Sequence, residues 1–182
     1  MFVHMLKEHS EFSLVERALD GRVDLSAIES GFDLGWQELS LHNAVTTIVS
    51  QTLGESALLE LWRATFARSM EQRFLAAFVD LLSPLTGGSL VSIARRAPRV
   101  YEHLARACGT MSWDELSEGG RLRLTDFPQG YTFRPWLMCN LGSLQAAARA
   151  LGGRYADVEL QEIDEPARSA SFRVLPGGAG PS

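Results

Sequence analysis

At Gly109 the spacing of apolar residues switches from the helical repeat to strict alternation, and few folds accommodate both halves of that pattern. Met111 and Trp113 alternate with Ser112 and Asp114, and Leu122 and Leu124 alternate with Arg121 and Arg123. The turn cluster Ser117-Glu118-Gly119-Gly120 separates the two runs, which together read as a β-hairpin. After Pro128 and Gly130, Pro135 suits the first turn of a helix. Leu137, Leu141, Leu144, Ala148 and Leu151 then recur at spacings of four and three, a regular helical stripe that Gly152-Gly153 stops. Val158 to Ile163 and Ala170 to Leu175 form a second pair of strands around a loop holding Glu165-Pro166. A helix set between two hairpins implies an α+β fold: a helical N-terminal part, then a four-stranded antiparallel sheet with the helix packed on it.

Upstream of Gly109 the pattern is helical. The first 32 residues are short and broken, with Phe12, Val15 and Leu19 on one face and Asp20-Gly21 as a stop. Asp33 to Gly35 is turn-like, and Leu39 to Leu53 reads as a helix closed by Gly54. Leu58, Leu61, Trp62, Thr65 and Phe66 form one stripe, and Phe74, Leu75, Phe78, Val79 and Leu82 a second, before Pro84 and Gly87-Gly88. Ser89 is a candidate N-cap for a helix from Leu90 to Cys108, which Pro98 should kink or break. The expected organisation is therefore a helical part over 1–108, a sheet with its helix over 109–175 in the same compact domain, and a disordered Gly/Pro/Ser-rich tail over 176–182.

Composition narrows the function classes. At 182 residues the chain can bury an adequate core with no disulfide or metal staple. A net charge of −5 gives no basic footprint for nucleic acid, and Arg95, Arg96, Arg99 and Arg106 read as a solvated helix face. No apolar run is long enough for a membrane span, and the N-terminus, with Lys7 and Glu8, lacks a signal-peptide pattern. Cys108 and Cys139 sit in apolar helical contexts, as free buried thiols do, which favours a reducing, cytoplasmic compartment.

Catalytic chemistry finds little support. His4, His9, His42 and His103 carry no second ligand at metal spacing. Cys108 and His103 are five apart, which turns them away from each other on a helix, and no Gly-x-Ser-x-Gly elbow or phosphate loop is present. Asp114-Glu115 and Asp164-Glu165 lie in or beside hairpin turns, where charge serves solubility. The expectation is a non-enzymatic protein. One cluster draws attention: Phe127, Tyr131, Phe133, Arg134 and Trp136 crowd the link between the first hairpin and the helix, with Trp113 on the facing strand. These rings either lock the helix onto the sheet or line a pocket in which Arg134, near a helix N-terminus, meets an anionic group. The candidate ligand-binding residues are Trp113, Phe127, Tyr131, Arg134 and Trp136.

The stretch from Gly119 to Val174 also resembles a known arrangement, through Met138-Cys139-Asn140-Leu141-Gly142-Ser143-Leu144, Ala150-Leu151-Gly152-Gly153 and Ala170-Ser171-Phe172-Arg173-Val174. It resembles a myxobacterial paralogous family, itself similar to four-vinyl-reductase-type small-molecule-binding domains and to haem nitric-oxide/oxygen-binding domains. The resemblance implies a ligand-binding module and, in its haem-binding branch, a proximal histidine in the helix before the hairpin and a Tyr-x-Ser-x-Arg motif on the propionates. His103 is the one candidate in that region, and Thr132 and Phe133 separate Tyr131 from Arg134, so the motif is not reproduced. The last hairpin has none of the cysteines frequent in four-vinyl-reductase-type relatives. The expected function is a cytoplasmic regulatory or sensory module binding a small apolar or anionic ligand without a cofactor. The alternatives are a scaffold acting through protein partners as a homodimer, and a haem-based gas sensor. Neither nucleic acid nor membrane is an expected partner.

Overall fold

A computed structural model describes residues 2–26, 38–70, 90–152 and 157–175. Six helices precede the sheet among the described residues: α1 (Phe2–Lys7), α2 (Phe12–Leu19), α3 (Leu39–Leu53), α4 (Glu55–Met70), α5 (Leu90–Ala94) and α6 (Ala97–Leu104). Then come strands β1 (Thr110–Glu115) and β2 (Gly120–Thr125), helix α7 (Phe133–Gly152), and strands β3 (Asp157–Asp164) and β4 (Ser169–Leu175). The strands make one antiparallel sheet in the order β1-β2-β4-β3, so the second hairpin joins the first through its last strand. The α+β class and the hairpin–helix–hairpin order are as the alternation predicts.

Register explains the two faces of this sheet. Trp113, Leu122, Phe172 and Leu160 lie in one cross-strand row, and Met111, Leu124, Ala170 and Ile163 in the next. That is the apolar face, with Leu122, Leu124 and Phe172 fully buried. The alternate residues, such as Arg121, Arg123 and Glu159, point the other way because strand side chains alternate. Helix α7 packs between α4 and β3, while α6 lies against β1 and α5 touches β4. A single apolar cluster runs from Phe2, Val3 and Leu6 through Leu58 and Leu137 to Phe172 and Val174, so the helical part and the sheet share one core.

The α4–α7 contact is close because Gly142 lets it be. A Cβ there would stand 2.9 Å from the Leu59 carbonyl oxygen and 3.0 Å from the Arg63 amide nitrogen. Trp62 adds a polar tie, its Nε1 donating to Ser143 Oγ at 2.8 Å. Of the α7 stripe, Leu137, Leu141 and Ala148 are buried and Leu144 is partly so.

Two helical expectations are corrected. The Leu90–Cys108 segment is two helices, because Pro98 lacks an N–H and can sit only in the first turn of α6. The chain turns at Arg95-Arg96, so Arg95 and Arg99 do not share a helix face; Arg95 instead pairs with Glu115 at 2.6 Å. Second, the short and broken pattern of the first residues conceals a helix ahead of Phe12: α1 buries Phe2, Val3 and Leu6, with the Phe2 ring 4.8 Å from that of Trp62. Asp114 and Glu115 also lie within β1, where Asp114 pairs with Arg123 at 2.6 Å. The expectations for Asp33–Gly35, the Phe74–Leu82 stripe, Pro84, Gly87-Gly88, Ser89 as N-cap, Gly153 and the tail over 176–182 lie outside the described residues. No described helix is long and apolar enough to cross a membrane.

Candidate functional site

The N-terminus of α7 is where β2, the β3–β4 turn and the helical part meet, and aromatic rings fill the junction. Phe127, just past β2, stacks on Trp136 with centroids 5.5 Å apart and planes at 25°. Phe133 lies beside it at 5.4 Å. Arg168 covers both phenyl rings, its guanidinium carbon 5.0 Å from the Phe127 centroid and 5.5 Å from that of Phe133. The same side chain donates from Nε to the Phe127 carbonyl at 3.0 Å and from Nη2 to the Tyr131 carbonyl. Arg168 reaches them from the β3–β4 turn, where its φ of 53° closes a tight connection. An arginine in a hairpin loop gives no sequence sign of that role.

Arg134 is engaged elsewhere. It forms a two-pronged pair with Glu55 at 2.6 and 2.8 Å and reaches Glu165 at 3.3 Å. The hydrogen bonds from Arg134 hold the Glu55 carboxyl below its ordinary range, and the guanidinium is stabilised in return. The charge that the sequence offered for an anion thus ties α7 to the starts of α4 and of the β3–β4 turn. Both partners are substantially exposed, so the pair adds little stability.

On the other side of Trp136 lies a group that sequence reasoning passed over. His42, on α3, meets Trp62 and Trp136 edge-on, with centroids 4.9 and 5.3 Å away. Although the residue keeps some exposed area, its Nδ1 is enclosed and has no hydrogen-bond partner among the described residues. Desolvation among the indoles lowers its pKa to about 4, so the imidazole is neutral at physiological pH. The Trp136 Nε1 is likewise enclosed without an aligned partner. The Tyr101 hydroxyl is close enough to feel that indole, but its own proton goes to the Cys108 carbonyl at 2.7 Å. Next to His42, Asn43 acts as a strand mimic: its Nδ2 donates to the Thr132 carbonyl at 2.8 Å and its Oδ1 accepts from the Thr132 amide at 3.0 Å. That clamp sets α7's first turn against α3.

Of the five residues singled out from sequence, the structure brings Phe127 and Trp136 into ring contact, with Tyr131 and Arg134 on their flank through Arg168 and Glu55. Trp113 stands apart. Its ring lies over Gly120, toward the β1–β2 turn, whereas Phe127 and Arg168 sit at the opposite end of the strands. A Cβ on Gly120 would fall 2.0 Å from that indole, which is why glycine occupies the strand start. His42, Asn43 and Arg168 complete the site.

The residues do not reproduce the haem-holding set that the resemblance would require. His103 is on the exposed side of α6, and Arg134 is neutralised by two carboxylates. Among the described residues no three of His, Cys, Asp and Glu gather as a metal-binding group.

No protein-family model and no curated protein sequence matches the chain. Its architecture does have counterparts. An unliganded Fe(II) variant of the H-NOX protein from K. algicida superposes with a TM-score of 0.65 at 12% identity, covering 96% of this chain and 91% of that one. The fold is that of H-NOX domains. A structure concerned with haem distortion in the H-NOX family aligns at 0.61 and 13% identity, over 97% and 92% of the two chains. The IWP-051-bound, Fe(II)CO-ligated H-NOX from Shewanella woodyi aligns at 0.53 and 14%, over 100% and 93%. The match spans the helical part as well as the sheet, whereas the sequence resemblance was firm over the C-terminal stretch and looser from Leu39 to Cys108.

Proposed function

We propose that this H-NOX-fold chain is a non-enzymatic sensory module that binds a small, mostly apolar ligand at the aromatic junction formed by His42, Trp62, Phe127 and Trp136. The observation that carries the reading is the enclosed Nδ1 of His42, without a partner among the described residues, on a ring packed edge-on to Trp136, whose Nε1 is also enclosed without an aligned partner. A buried polar atom left without a partner costs about 1–3 kcal/mol, and a ligand atom or an ordered water would remove that cost. Neutral His42 offers either a donor or an acceptor, depending on tautomer, so the ligand is apolar with one hydrogen-bonding group. Tyr131 and Arg134 form the rim. The fold supports the reading by its likeness to H-NOX proteins, one studied for its haem distortion and one with IWP-051 bound. A cytoplasmic setting is supported by two free, buried cysteines. Native mass spectrometry of freshly purified protein tests the proposal, together with a tryptophan-fluorescence titration using indole as probe. A retained adduct or saturable quenching, lost in His42→Phe, is the expected result; a bare chain with no saturable quenching ends the proposal.

A second reading, haem held through His103, has one observation in its favour. The His103 Nδ1 lies 2.8 Å from the Arg99 carbonyl, which fixes the tautomer and leaves Nε2 available as a ligand. Haem reconstitution decides it: a Soret band that His103→Ala abolishes supports this reading, and absence of the band removes it. The scaffold alternative would call for an exposed apolar patch, and among the described residues Leu14 is the only exposed large hydrophobic side chain.

A further inference from the structure

The sheet face turned away from the core carries its charges in an order that ordinary solubility does not require. Across the four strands one row reads Asp114, Arg121, Arg173, Glu159, and its neighbour reads Ser112, Arg123, Ser171, Glu162. Residues paired directly across strands share a face, so Arg121 on β2 and Arg173 on β4 stand side by side at the centre of the sheet. Like charges placed opposite one another destabilise a strand pair. Acids flank them on the edge strands, yet neither arginine has a carboxylate within ion-pair distance among the described residues, and the Nε of each is enclosed without a partner. Asp114, the direct neighbour of Arg121, is drawn diagonally to Arg123 instead.

We propose that this outer face is a binding site for a compact dianionic oxyanion, a phosphate group, seated between Arg121 and Arg173 with Arg123 beside them. Two guanidinium forks on adjacent strands, about 5 Å apart, match the spread of a single phosphate's oxygens. The width of the positive zone chooses the occupant. It spans only the two central strands and is bounded by Asp114 on β1 and by Glu159 and Glu162 on β3. Those acidic margins repel an extended polyanion or an anionic membrane and admit one small group. The arrangement lies on the opposite side of the sheet from the aromatic junction, so a phosphate signal and an apolar ligand would be read independently.

Inorganic phosphate is the probe, followed by thermal shift and isothermal titration calorimetry of the full chain against chloride at matched ionic strength. A saturable rise in melting temperature with phosphate is expected. Arg121→Gln and Arg173→Gln should each weaken phosphate binding by about tenfold or more, since each removes a charge-assisted contact. Glu159→Gln, which removes the carboxylate directly opposite Arg173, should strengthen it. In phosphate-free, low-salt buffer Arg173→Gln should melt no lower than wild type, because it relieves a like-charge neighbour, and this also shows that the variant folds. Equal shifts in phosphate and chloride, or a phosphate response that survives both arginine substitutions, would overturn the proposal.

Discussion

Enclosing an imidazole between two indoles strips its charged form of hydration, and His42 registers this with a pKa of about 4 in place of 6.5. The folded state therefore binds fewer protons than the unfolded chain between those values. Stability from this residue is complete above about pH 6.5 and is lost as the pH falls toward 4, by up to about 3 kcal/mol. Denaturant titrations at pH 7 and about pH 4.5 should show a smaller acid loss in His42→Phe than in wild type. Equal losses would mean that the ring is not held neutral. Asn43, one position on, works by shape rather than charge, replacing a backbone partner for Thr132. Neither role was legible in the sequence, because a lone histidine and asparagine on a helix carry no periodic signal. Their meaning comes from Trp62, Trp136 and Thr132, all distant along the chain.

At the scale of elements, the regular α7 stripe was readable because its period repeats over five positions and burial follows the period. Its partner was not. The closeness of α4 and α7 rests on Gly142, and a missing side chain does not announce what will approach it. Gly142→Ala gains helix propensity, yet its Cβ would press on the Leu59 carbonyl and the Arg63 amide, backbone atoms that do not swing aside. A net loss of about 1–3 kcal/mol in chemical denaturation is expected; a neutral or stabilising result would show that the two helices can separate without penalty. Helix α1 escaped sequence reading because six residues are too few to show a period. It is stabilised by burying Phe2, Val3 and Leu6 rather than by its own propensity. The break before Pro98 was legible, since proline's missing N–H acts locally.

For the molecule as a whole, one apolar cluster links the helical part to the sheet, so the two should unfold together. Cys108 and Cys139 lie in that cluster, and burial raises both thiols, Cys108 to about 11. At pH 8 both should resist a thiol reagent and label together as denaturant unfolds the protein; rapid native labelling of either would place it in a locally opening segment. The aromatic link between hairpin and helix was legible as a place, since ring density before Pro135 is visible in the sequence. Its chemistry was not: Arg134 turned to Glu55 and Glu165, Arg168 took the position over the rings, and Trp113 went to the far end of the sheet. By itself the sequence determined the α+β class, the two hairpins and the helix between them, because apolar periodicity is a local property that burial enforces wherever the segment lands. Tertiary structure alone decided the H-NOX arrangement, the neutral His42, the clamp on Thr132 and the side-by-side placing of Arg121 and Arg173, since each depends on which distant residue occupies the facing position.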